Sequence, residues 1–138
     1  MKNETLKTIF DRKSVREFKE QQVTDELLKT MVKAGFAAPS ARNRQPWHVI
    51  VVRQKDMMLE LARGLPYAKM LESADAAIVV CGIPDEENAE IENYWVQDCS
   101  AMTQNILLAA ESLGLGAVWT GVYPRKSRID HVRHVLKV

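Results

Sequence analysis

Arg12, Lys13, Ser14 and Arg16 put three cations and a hydroxyl within five residues, a combination that suits a phosphate. Guanidinium and ammonium groups give phosphate oxygens charge-assisted hydrogen bonds worth about 1.5–3 kcal/mol each, and the hydroxyl adds a neutral one. Taken alone, a solvated basic turn is the simpler reading of this segment. A second group, Pro39, Ser40, Ala41, Asn43, Gln45, Pro46 and Trp47, sets small and amide side chains just ahead of an apolar run. Small side chains let backbone amides approach the edge of a flat heteroaromatic ring, and Asn and Gln can donate and accept toward imide groups on such a ring. A purely structural loop accounts for the same residues. A third group, Trp119, Thr120 and Gly121, stands at the end of an expected strand, where α/β proteins place ligand contacts.

Other chemistries find no support. The glycines at 114, 116 and 121 have the wrong spacing for a dinucleotide phosphate loop and lie between a helix and a following strand, the reverse of the required order. No Walker, HExxH or GxSxG pattern occurs, and His131 with His134 reads as a solvated helical face, not a ligand pair, so no metal is expected. Cys81 and Cys99 lack CxxC spacing and read as packing residues in a reducing compartment. A net charge of +1 offers no long-range field for nucleic acid or an anionic membrane. The longest apolar run, around Ala76 to Cys81, is far short of the ~20 residues a spanning helix needs, and the N-terminus shows no export signal. A cytoplasmic location is the expectation.

The elements that must position these groups follow from periodicity. With 138 residues, 46% of them apolar, the chain can bury a core as one domain without disulfides or metal. Leu6, Ile9 and Phe10 share a face of a short helix over 5–11, running into the basic turn. Thr24 caps a second helix ending before Pro39, and HVIVV from His48 is a β-branched strand. Helices are expected over 55–63 and, with Pro66 in the first turn, over 66–73. Ala76–Ile83 is an apolar strand without alternation, hence covered on both faces, and 84–90 is an acidic surface loop. The longest helix spans 91–113, is apolar on more than one face and ends at Gly114. A third strand over 116–123 and a last helix over 125–137 complete one α/β unit. Three strands this apolar leave edges unpaired, so further sheet is expected from a partner chain or from additional C-terminal sequence.

RKSVREF, APSARNRQPWHVIVV and QNILLAAESLGLGAVWTGVYP, in this order and spacing, give the chain a resemblance to the nitroreductase family of flavoproteins from Ile9 to the last helix. The resemblance implies an α+β arrangement, with a central, mostly antiparallel sheet flanked by helices and the long helix at the interface of a homodimer. It implies FMN as cofactor and NADH or NADPH as electron donor. Arg12, Lys13, Ser14 and Arg16 match the family segment that binds the FMN phosphate and ribityl chain, with Lys13 where arginine is common, which loses a planar fork. Pro39, Ser40, Ala41, Asn43 and Gln45 match the loop that packs on the flavin, the Pro-Ser-Ala part serving the other subunit. Trp119, Thr120 and Gly121 match the strand end facing the flavin near N5.

The implied reaction is a ping-pong reduction of nitroaromatics, quinones or similar small electrophiles. Its chemistry is carried on flavin N5, so no protein residue is nominated as general acid or nucleophile. Tyr67, Tyr94 and Trp95 are candidate walls of the acceptor pocket. Alternatives are reductive dehalogenation or flavin fragmentation on the same fold, and a flavin-free dimeric binding module. Family members continue into another strand and a tail that crosses to the partner, so a C-terminally truncated single domain over 1–138 is the expectation, ahead of a natural short form.

Overall fold

Two side-chain caps open the N-terminal half of the chain in a computed structural model, which describes residues 2–85, 87 and 93–138. The Asn3 side chain accepts the Leu6 N–H at 3.0 Å and starts α1 (Glu4–Asp11). Thr24 Oγ1 accepts the Leu27 N–H at 3.2 Å and starts α2 (Asp25–Phe36), whose first turn carries Asp25 and Glu26 at the positive end of the helix dipole. After a 3-10 turn over Ala41–Asn43 come β1 (Trp47–Val52) and α3 (Lys55–Gly64). The expected helix over 66–73 shrinks to a 3-10 turn over Lys69–Glu72, because Tyr67 takes a left-handed φ of 65° that no helix accommodates. β2 (Ala77–Gly82), α4 (Tyr94–Ser112) and α5 (Lys126–Leu136) follow. Ile91 and Glu92 of the expected long helix, and much of the acidic loop, lie outside the described residues.

The long helix stops as its sequence dictates. Gly114 takes φ 74°, the Leu115 N–H bonds Ala110 O at 2.9 Å and the Gly114 N–H bonds Glu111 O at 3.0 Å, satisfying carbonyls that the last turn leaves open.

β1 and β2 pair antiparallel, with Val49 opposite Val80 and Ile50 opposite Val79. Alternate residues serve opposite faces. Trp47, Val49, Ile78 and Val80 pack on a core of Leu28, Met31, Met102, Ile106 and Ala110 between α2 and α4. Ile50, Val52, Ala77 and Val79 pack on Met58, Leu61, Leu65 and Val132 from α3 and α5. This covering of both faces explains the unbroken apolar run of β2. At Gly82 the Trp95 ring lies so close that an added Cβ would stand 2.0 Å from it.

The expected strand over 116–123 is not one. Among the described residues its only ladder contact is a parallel bridge between Ser14 and Ala117, with the Val15 N–H bonding Ala117 O at 3.0 Å. The segment has turned its hydrogen bonds toward the chain leaving α1, and Gly116 packs on the Val15 side chain. Between it, β2 and α4 runs a groove of about 660 Å³ lined by Ile78, Val80, Ile106, Leu115 and Ala117. β2 therefore carries a strand on one edge only among the described residues, and its side chains are half-buried.

His131 also departs from expectation. Its ring lies half-buried against Gly64, with Nε2 2.9 Å from Glu60 O, so it closes the C-terminal end of α3 instead of facing water. His134 is exposed as expected, and no group of metal-ligating side chains occurs among the described residues.

Candidate functional site

The basic segment begins where α1 ends. Arg12 is the C-cap, its N–H bonded to Thr8 O, so the cations that follow sit at the negative end of the helix dipole. Val15 is half-buried against Gly116, whereas Lys13, Ser14 and Arg16 around it are exposed. Ion pairs elsewhere engage Lys7, Arg44, Arg53, Arg63 and Lys126, but none among the described residues engages Arg12, Lys13 or Arg16. Three cations without acid partners among the described residues thus follow one another on a backbone tied down by the Ser14 bridge, in a chain of nearly zero net charge.

The bridge brings this segment to the residues leading into Trp119, Thr120 and Gly121. Trp119 is 49% exposed, and a Cβ added at Gly121 would meet nothing within 4 Å, so this stretch presents an open surface. Gly121 O accepts from the Arg128 guanidinium at 3.1 Å. Beyond it Tyr123 meets Trp95 edge to face, centroids 4.7 Å apart. That contact makes Trp95 a packing residue wedged between Gly82 and Tyr123, whereas Tyr94 is 45% and Tyr67 87% exposed.

The loop from Pro39 to Gln45 is a strained knot. Arg42, Asn43 and Gln45 have φ of 54°, 53° and 53°, left-handed conformations that cost L-residues roughly 1–2 kcal/mol each. It is held by the Asn43 N–H to Ser40 O at 3.0 Å, the Gln45 N–H to Ser40 Oγ at 2.9 Å, and an Arg44–Asp85 ion pair. Asn43 and Gln45 are exposed, and their side-chain amides have no partner among the described residues. From α4, Asp98 Oδ1 accepts the Ala41 N–H at 3.0 Å.

Next along α4, burial, helped by the Asp98 charge and by Cys81, pushes the Cys99 thiol up to about 11. It stays protonated, with Sγ 3.7 Å from Pro46 O, and is a packing group as expected. Burial also raises the Cys81 thiol.

Two of the three groups therefore come together and the third does not. The loop is anchored at Asp98, near the start of α4, whereas the basic segment and Ala117 lie beyond its end. At 1.5 Å per residue, Asp98 and Ala110 are separated by about 18 Å along the helix.

Asp98 is the residue that motif reading missed. It is the one buried charged side chain among the described residues, 7% exposed, and its signal was in the periodicity: Asp98, Met102 and Ile106 fall on one stripe of α4.

The fold and these segments have known counterparts. The family model described as "Nitroreductase family" matches residues 9–74 and 58–138. A protein of Archaeoglobus fulgidus, provisionally named an NADH dehydrogenase/NAD(P)H nitroreductase, is 47% identical over 135 residues, covering 98% of this chain and 77% of its own. A crystal structure of a protein with the same provisional name from Parabacteroides distasonis superposes with a TM-score of 0.92 at 50% identity, covering 99% of this chain and 79% of that one. Another, provisionally called a nitroreductase and described as a complex with FMN, from Desulfovibrio desulfuricans, gives a TM-score of 0.81 at 33% identity, covering 99% and 76%. By fold and by sequence along nearly its whole length, the chain belongs to the nitroreductase family.

Proposed function

We propose that the protein is an FMN-dependent, NAD(P)H-linked reductase of small electrophiles such as nitroaromatics and quinones, with residues 1–138 forming one domain that works as a homodimer in the cytoplasm. The observation that carries this reading is the cationic segment, without ion-pair partners among the described residues and fixed by the Ser14–Ala117 bridge beside the open surface of Trp119–Gly121. This donor set fits FMN. Arg12, Ser14 and Arg16 would hold the phosphate and ribityl chain, and Lys13 would add charge. Asn43 and Gln45 supply unpartnered amides that match an imide edge, beside Pro39, Ser40 and Ala41. Bound FMN would supply the redox chemistry, taking a hydride from the nicotinamide at N5 and passing two electrons to the acceptor in a second half-reaction.

The chain's own residues bind, orient and exclude water. The open surface at Trp119, Thr120 and Gly121 gives donor and acceptor access in turn, as a ping-pong sequence requires. Two copies are favoured by the separation of loop and cation segment along α4, and by an unburied apolar face on α1, where Leu6, Ile9 and Phe10 are 43%, 44% and 77% exposed. Unpaired Cys81 and Cys99 fit a reducing compartment. No helix among the described residues is long and apolar enough to cross a membrane. The test is the visible spectrum of protein purified with FMN, followed by anaerobic NADH or NADPH. Flavin bands that bleach support the reading, and a colourless protein that cannot be reconstituted overturns it.

A further inference from the structure

We propose that Asp98 is a positioning residue for the cofactor, acting through the Ala41 N–H to hold the Pro39–Gln45 loop in the shape that presents its amides; this rests on the site reading above. The loop contains three left-handed residues with side chains, at 42, 43 and 45. A backbone in that state relaxes unless its surroundings over-determine it. Most of the restraints are internal to the loop, running from Asn43 and Gln45 back to Ser40 and from Arg44 back to Ala41, and such bonds can move with the loop as a unit. The Arg44–Asp85 pair ties the loop through the long, exposed arginine side chain.

Asp98 is different in kind. Its side chain is short and buried on α4, beside Cys99 in sequence and one turn before the fully buried Met102, and its bond reaches the loop backbone at 3.0 Å. A buried carboxylate on an apolar stripe is costly to keep. Its partner is a loop N–H that has no other acceptor among the described residues, so the pair fixes where the loop sits relative to α4. Asp98 would touch no cofactor atom itself.

The bond can be cut from either side. Asp98→Ala removes the acceptor, and Ala41→Pro removes the donor. Ser40 is already extended at φ −139°, ψ 151°, as a residue before proline must be, and Ala41 opens a 3-10 turn where proline is tolerated. Asp98→Asn keeps an oxygen acceptor and loses the charge. The readouts are the FMN dissociation constant, from flavin fluorescence quenching, and the visible circular dichroism of the bound flavin, with Tm of the FMN-free proteins alongside.

We expect Asp98→Ala and Ala41→Pro each to weaken FMN about tenfold or more and to alter the flavin dichroism. The double variant should be no worse than either, because both remove one bond, and Asp98→Asn should stay within about threefold of the parent. Should Asp98→Ala not fold, Ala41→Pro reads the same bond. Unchanged FMN affinity in both cuts, or an Asn variant as impaired as the Ala variant, would overturn the proposal. Asn43→Ala and Gln45→Ala separate the two readings. If they weaken FMN while the Asp98 and Ala41 variants do not, only the role of Asp98 fails; if they too are silent, the loop is not at the flavin and both readings fall.

Discussion

If Arg12 and Arg16 hold the FMN phosphate, removing them should erase the preference for FMN over riboflavin, which has the same ring without the phosphate. Neither guanidinium has an acid to release among the described residues, so binding a phosphate costs them no ion pair. Each charge-assisted bond is worth about 1.5–3 kcal/mol, and exposure places these at the low end. At 1.4 kcal/mol per tenfold, Arg16→Ala should weaken FMN about tenfold and the Arg12→Ala, Arg16→Ala pair about a hundredfold. Riboflavin affinity should stay within about threefold. Lys13 is exposed like Arg16 but is a flexible point charge without a planar fork, so Lys13→Ala should cost less than Arg16→Ala. Flavin fluorescence titrations against both ligands at low salt and at 1 M salt measure all of this. The salt should narrow the FMN preference of the parent protein, because the screening length falls to ~3 Å. Equal losses for FMN and riboflavin, or none for either, would refute a phosphate role for the segment.

The remaining predictions concern the scaffold. Gly82→Ala places a Cβ 2.0 Å from the Trp95 ring and should cost about 1–3 kcal/mol, read as a lower urea midpoint at unchanged slope. Met102→Ala empties a site with 0% exposure at the centre of the larger core and should cost about 2–5 kcal/mol by the same measurement. Cys99, held near 11, should resist a maleimide at pH 8 in the folded protein and react on unfolding; rapid labelling of the native state would contradict its assignment. Because that thiol titrates higher folded than unfolded, its contribution to stability is complete below pH 9 and is lost as pH rises from about 9 to 11, a loss that Cys99→Ala should reduce, leaving the share of the likewise raised Cys81.

Helices and the two paired strands were legible because each carries a local signal: the Thr24 cap, the β-branched run of β1, the Gly114 stop. Apart from the 66–73 helix, broken locally by the left-handed Tyr67, the misreadings involve partners distant in sequence. The 116–123 segment has strand composition, yet whether it joins a ladder depends on which neighbour its amides meet, and they meet the chain after α1. His131 looked like one of two exposed histidines because nothing local reveals that Gly64 leaves room for its ring. The three candidate groups were visible as residue types, but their spatial relation was not, since it is set by the length of α4 and by which end each group meets.

That relation decides what a working site requires. A loop anchored near the start of α4 and a cation segment beyond its end have anchors separated by about 18 Å of helix, which favours their meeting on one ligand across two copies of the chain. In the proposed homodimer, a two-fold axis perpendicular to α4 would set the helices of two copies antiparallel, the start of one beside the end of the other. The loop of each copy would then face the cation segment of its partner, giving two equivalent sites from one self-complementary interface. The exposed Leu6, Ile9 and Phe10 of α1, which packs against α4, give that interface its apolar surface. Cofactor binding and dimerisation are thereby linked: FMN, held only by paired chains, should draw the monomer–dimer equilibrium toward the dimer, and dilution should release it. Sedimentation at falling protein concentration, with and without FMN, reads this directly. An FMN-saturated monomer would break the argument, because one chain would then hold the cofactor without a loop from a second.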